Sequence, residues 1–152
     1  MLIHINNKMA FICPQRAGHT TAAKNFPNNA KFSEWMDSNK QKVVVIRNPL
    51  YRYISGVAAD NKYKELLGKD TIYFNHTDPF LYLVADHDFK YISFENFGRY
   101  FGAKKYGWES QVESEEIDHE LPTMVTDEFD LFKIILKEKE ELTLDEWNDL
   151  CN

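Results

Sequence analysis

Nothing in the sequence approaches the roughly 20 successive apolar residues that a membrane-crossing helix needs, so no membrane span is expected. Cysteine is scarce: Cys13 and Cys151 stand at opposite ends of the 152 residues, a spacing that suits neither a disulfide framework nor a zinc site. Both are read as reduced thiols. The start, Met-Leu-Ile-His-Ile-Asn-Asn-Lys, lacks the basic residues and long apolar stretch of a secretory signal, and a cytoplasmic location is expected. Polar low-complexity tracts are absent, and no segment reads as disordered. Glycine is thin at the front of the chain, where Gly18 alone precedes Gly56. The glycine-rich Walker pattern ending in Gly-Lys-Ser/Thr occurs nowhere, which weighs against a magnesium-dependent kinase.

What is present is a chain of single-domain length, 43% hydrophobic and 14% aromatic, enough to bury one core. One domain is expected over 1–152, with a nucleotide-binding core at about 9–101 and an acidic helical part at about 103–152. Net charge is −6, unevenly spread. Residues 1–64 carry ten Lys or Arg against Glu34, Asp37 and Asp60, and the acidic excess lies wholly beyond them. A cationic front joined to an acidic back can hold a small phosphorylated molecule while repelling long polyanions, so nucleic acid is not an expected partner.

The pattern along the chain alternates strand and helix. Met9 to Cys13 and Val43 to Arg47 read as buried strands, and Phe89 to Phe94 as a third. Helices are predicted at Thr20 to Asn25, from Asn48-Pro49 to before Gly68, and at Pro79 to Ala85, Glu95 to Phe101, Asp127 to Glu141 and Thr143 to Cys151. A brief helical turn is expected within Phe32 to Met36, and 103–126 reads as loop. On the long helix, Leu50, Ile54, Val57, Ala58 and Asn61 follow helical spacing and predict the face that packs on the sheet. Alternation of this kind predicts an α/β fold with a parallel sheet flanked by helices. Its ligand edge lies where the strands end.

Two segments meet at that edge. Cys13-Pro14-Gln15-Arg16-Ala17-Gly18-His19-Thr20-Thr21 sits between a strand and a helix. Loop amides and a helix N-terminus offer donors to phosphate oxygens, glycine permits close approach, and Arg16 adds a permanent charge in a planar fork. The same pattern also suits an ordinary glycine turn. In Val45-Ile46-Arg47-Asn48-Pro49-Leu50-Tyr51-Arg52-Tyr53-Ile54-Ser55, Arg47 ends a strand and Ser55 lies about two helical turns on. The pair can converge on one anion, or serve as a strand-end ion pair and a solvent-facing serine.

Together these segments resemble the sulfotransferase superfamily. Its members carry a loop of the form Pro-Lys-x-Gly-Thr-Thr or Pro-Gln-Lys-Thr-Gly-Thr-Thr, then a strand ending in Arg-Asp-Pro with a serine eight residues after the arginine. Arg47 and Ser55 keep that spacing. The resemblance implies a minimal P-loop NTPase-like sulfotransferase fold. It also implies that Gln15, Arg16, Ala17, Gly18, His19, Thr20 and Thr21 bind the 5′-phosphosulfate of 3′-phosphoadenosine-5′-phosphosulfate (PAPS), and that Arg47 and Ser55 grip its 3′-phosphate. Tyr73 to Pro79, with His76 and Pro79, looks like the His-x-x-Pro stretch of heparan sulfate 2-O and related Golgi sulfotransferases, and Phe94-Glu95-Asn96-Phe97 looks like their Phe-Glu-Asn-Leu. This resemblance implies His76 as general base and Glu95 as a structural carboxylate, with Arg16 sharing the catalytic role. Histidine is in any case the side chain suited to taking a hydroxyl proton near neutral pH. No metal is implied. The implied partner is a small-molecule or carbohydrate acceptor with a hydroxyl or amine, bound by 76–88 and 103–120. Arg16 stands where the family has lysine and His19 where it has Ser or Thr. Those departures keep open a non-catalytic nucleotide-binding or interaction protein, and a divergent kinase remains the other alternative.

Overall fold

The computed structural model describes residues 1–67, 75–101 and 121–152. Four strands, β1 (Leu2–Ile5), β2 (Met9–Cys13), β3 (Gln41–Ile46) and β4 (Lys90–Ser93), form one sheet in the order β1-β2-β3-β4. The β2, β3 and β4 strands run parallel, while β1 pairs antiparallel with β2. The sheet is therefore mixed, not wholly parallel as the sequence suggested. The cause is local: Asn6 Oδ1 accepts from the amides of Lys8 (2.8 Å) and Met9 (2.9 Å), closing a tight turn that folds Leu2–Ile5 back along β2 as an edge strand. Beyond β4, Tyr91 N donates to Glu140 O and Leu142 N to Tyr91 O, so 140–142 lies parallel against the other edge. The helix expected to reach Glu141 ends at Glu138 because the chain is drawn into this pairing.

Strand side chains alternate between two faces, and each face carries its own core. Ala10, Ile12, Val44, Ile46 and Tyr91 pack with Trp35 of α2 (Phe32–Asp37), Leu50 of α3 (Pro49–Leu67), Leu81 and Val84 of α4 (Leu81–Val84), and Phe129, Phe132 and Ile135 of α6 (Thr123–Glu138). On the opposite face Met9, Phe11, Val43, Val45 and Ile92 pack with Ala22 of α1 (His19–Asn25), Phe97 of α5 (Phe94–Tyr100) and Trp147 of α7 (Leu144–Cys151). Helices thus cover both faces, and the near-continuous apolar strands follow from that double burial. Trp35 also donates Nε1–H to Ala10 O (2.9 Å), satisfying its one polar group inside the core.

Several helix boundaries have visible causes. Asn48 Oδ1 accepts from Leu50 N (3.0 Å), Ser93 Oγ from Asn96 N (3.2 Å) and Thr143 Oγ1 from Glu146 N (3.1 Å), three side-chain N-caps. The α4 helix, expected from Pro79 with a Thr77-Asp78 cap, begins at Leu81. Its first amides are taken by a remote carboxylate, with Phe80 N (2.6 Å) and Leu81 N (2.9 Å) both donating to Glu128 Oε2. The predicted apolar stripe on α3 is also corrected: Ala58 and Asn61 are exposed, while Arg52 and Gly56 are buried along with Pro49, Leu50 and Ala59. Most of the loop expected at 103–126 falls outside the described residues, while Thr123 to Thr126 are the first turn of α6.

Candidate functional site

The parallel strands β2 and β3 end side by side, and the segments leaving them enclose a cleft of about 310 Å³. Gln15, Arg16 and Gly18 line it from the β2–α1 loop, joined by His19, Thr20 and Thr21 from the first turn of α1. Arg47 lines it from the end of β3, His76 from a 3-10 turn at Asn75–Thr77, and Phe94 from the start of α5. The expected residues on the loop, at position 47 and at position 76 are thus brought to one place, with the exception of Ala17, which is fully buried beneath the loop.

Backbone geometry explains the loop. Gly18 has φ +90°, and a Cβ there would lie 2.9 Å from Phe97 Cδ2, so both conformation and space demand glycine. Arg16 adopts φ +62°, a left-handed conformation that costs a non-glycine residue on the order of 1–3 kcal/mol. Three side chains hold it. Arg16 Nε donates to Ser55 Oγ (2.9 Å), Arg47 Nη1 donates to Arg16 O (2.7 Å), and Arg52 Nη1 donates to Gln15 O (3.1 Å). Ser55 therefore stands behind the loop as a partner of Arg16 and does not line the cleft. Arg47 also lies over the Phe94 ring, 4.2 Å from its centre, a cation–π contact that fixes its guanidinium beside the cleft.

His76 has a partner the sequence did not reveal. Its Nδ1 donates to Asp60 Oδ1 at 2.7 Å, with both side chains largely enclosed (17% and 15% exposed). A carboxylate that takes the Nδ1 proton fixes the tautomer and leaves Nε2 as the basic nitrogen. The turn sits close because Gly56, one helical turn before Asp60 on α3, has no side chain. A Cβ at Gly56 would lie 2.5 Å from the His76 carbonyl oxygen. The signal available in the sequence was a glycine in a helix interior, which marks close backbone approach. Asp60 offered no such signal, since its pairing with His76 exists only in the folded chain.

Electrostatics favour an anion here. Arg16 and Arg47 carry fixed charge, and burial, the N-terminal amine and His76 together hold the His19 imidazole below its ordinary range. Cys13, at the end of β2, is fully buried with its thiol pushed far above the ordinary range by desolvation; it is no nucleophile. Glu95 is buried in the first turn of α5. His4 rests on Phe26 and His87 against the edge of Trp35, both away from the cleft. Among the described residues no group of three or more His, Cys, Asp or Glu is placed to hold a metal ion, and no helix is long and apolar enough to cross a membrane. No family model matches the sequence, and neither a curated protein nor a solved structure matches the chain.

Proposed function

We propose that the chain is a small P-loop-type sulfotransferase that binds PAPS and passes its sulfuryl group to a hydroxyl or amine acceptor. The observation that carries this reading is the convergence, at the ends of two adjacent parallel strands, of two guanidiniums (Arg16 and Arg47) and a carboxylate-oriented histidine (His76) on one cleft. A cradle of that charge suits the phosphate and phosphosulfate groups of the nucleotide. The amides of the loop and of α1 would add donors, with Thr20 and Thr21 hydroxyls beside them.

In the reaction proposed, His76 Nε2 takes the acceptor proton while Asp60 keeps the imidazole oriented and stabilises the imidazolium formed. The acceptor atom bonds to sulfur as the bond from sulfur to the 5′-phosphate oxygen breaks, and the electron pair leaves with the phosphate. Arg16 and the loop amides stabilise the charge arriving on that leaving group, while Arg47 holds the 3′-phosphate. The acceptor keeps the sulfuryl group and 3′-phosphoadenosine-5′-phosphate (PAP) is released.

The test is a transfer assay with labelled donor and a panel of hydroxyl and amine acceptors, alongside a thermal-shift comparison of PAP, ADP and ATP. Transfer, with PAP raising the melting temperature most, is the expected result. Absence of both PAP binding and transfer ends the proposal. Binding without transfer, combined with an indifferent His76→Ala variant, would instead assign a nucleotide-binding protein without turnover. A preference for ATP with magnesium would assign a kinase.

A further inference from the structure

The α3 helix buries a charge that the mechanism above does not use. Arg52 is 5% exposed and faces Glu128 of α6, with Nη2 3.9 Å from Oε1 and the two side chains 7% and 4% exposed. Burial lowers the affinity of this guanidinium for its proton, and Glu128 and Asp78 oppose that effect. Removing a guanidinium from water is costly, and such a pair is weak evidence for stability in itself. Its contacts suggest what it does instead.

Arg52 Nη1 donates to Gln15 O in the cleft loop, and Nη2 donates to Asp78 O, two residues past His76. Glu128 in turn receives the amides of Phe80 and Leu81 through Oε2. One guanidinium therefore bridges the loop that carries Arg16 and the segment that carries His76, and one carboxylate anchors the far end of that segment. A planar fork with several fixed donors can span two carbonyls in this way, whereas an ammonium cannot reproduce the geometry.

Resting on the sulfotransferase reading, we propose that Arg52 and Glu128 are positioning residues that set the separation between the anion-holding loop and the His76 base. The strut touches neither donor nor acceptor. It governs how well the two halves of the site are aligned, a factor to which transfer rates are steeply sensitive.

The experiment compares full-length wild type with Arg52→Lys and Glu128→Gln. Three quantities are measured: PAP affinity by calorimetry, turnover with PAPS and an acceptor drawn from the panel above, and the His76 tautomer by long-range ¹⁵N–¹H correlation. Arg52→Lys is expected to keep PAP affinity within about threefold, to lose about a hundredfold in turnover, and to show mixed His76 tautomers as the Asp60 contact loosens. Glu128→Gln keeps an oxygen for the two amides but unbalances Arg52, and is expected to shift both readouts in the same direction to a smaller extent. Should Arg52→Lys not fold, Glu128→Gln decides the matter. Unchanged tautomer and turnover in the folded variants, or turnover lost only in proportion to PAP affinity, would overturn the inference. Failure of wild type to bind PAP or transfer would sink the enzymatic reading instead, and the tautomer measurement would still test the strut.

Discussion

Gly56→Ala is the substitution in which general helix physics and the geometry of this site make opposite predictions. In an unobstructed helix interior, replacing glycine by alanine stabilises by roughly 1 kcal/mol, because glycine loses more backbone freedom on folding. At position 56 the added carbon would meet the His76 carbonyl oxygen at 2.5 Å and its carbon at 2.9 Å, whereas ordinary contact begins at 3.4 Å. Both neighbours are backbone atoms, so the turn must retreat by about 0.9 Å to restore contact distance, a displacement of the size that can cost a hundredfold in rate when it misplaces a catalytic group. Overpacking of this kind costs about 1–3 kcal/mol. Offset by the helix gain, the net is a destabilisation of about 0–2 kcal/mol, or a fall in melting temperature of a few degrees, at about 3 °C per kcal/mol for this chain length. Calorimetric melting with the turnover assay reads both effects, and the His76 imidazole signal reports the displacement whether or not turnover is observed. A variant that melts higher than wild type with an unmoved His76 signal would refute the close-approach account.

Asp60→Asn keeps shape but lets an amide pair with either imidazole nitrogen, so turnover is expected to drop by about 10²- to 10⁴-fold. PAP affinity should change little, as calorimetry would show. Arg47→Ala should weaken PAP by about 2 kcal/mol or more, while Ser55→Ala, which frees the Arg16 side chain, should cost less; titration of the two variants in parallel separates a direct contact from a supporting one. His19 supplies a pH dependence. Its folded-state pKa lies below the ordinary 6.5 through burial, the N-terminal amine and His76, in the same cleft as Arg16 and Arg47. Below pH 6.5 the unfolded chain therefore takes up the proton before the folded one does. Stability of the ligand-free protein should fall as pH drops below that value, and His19→Ser should flatten the melting curve against pH. A bound anion favours the protonated imidazole, so PAP affinity should rise over the same interval.

The layered core could be read from the sequence because burial on both sheet faces leaves a compositional mark. Met9 to Cys13 and Val43 to Ile46 are apolar at every position; β2 occupies its expected span, while β3 begins two residues before its expected span and ends one residue short of it. The edge strand β1 carried a weaker mark: Leu2 and Ile3 are buried but His4 and Ile5 only partly so, and its pairing depends on an Asn6 turn whose effect is conformational rather than compositional. The α3 helix went further astray. A hydrophobicity stripe assumes that buried positions are apolar, yet α3 turns Arg52 and Gly56 inward. Both are buried for what they do to neighbouring backbone, one by donating to two carbonyls and the other by leaving room for a third.

That exception explains why the cleft was only partly legible. Residues whose chemistry is local were visible: a glycine and a cation between a strand and a helix, a cation at a strand end, a histidine before a proline. Residues whose role is a long-range relation were not. Asp60 is 16 positions from His76, Arg52 lies 37 positions from Gln15 and 26 from Asp78, and Glu128 lies 48 from Phe80. Each of these relations either starts on α3 or meets one that does. The helix carries Arg52, Ser55, Gly56 and Asp60 at spacings of three, one and four residues, which place the four on one side of it. One side of a single helix thus touches the Gln15 carbonyl, the Arg16 side chain, the His76 backbone and the His76 ring. A small rotation of α3 about its axis would displace all four contacts together. Substitutions along that side should consequently be non-additive in their effect on His76 geometry, with the Gly56→Ala/Asp60→Asn double variant losing less than the sum of the two single losses.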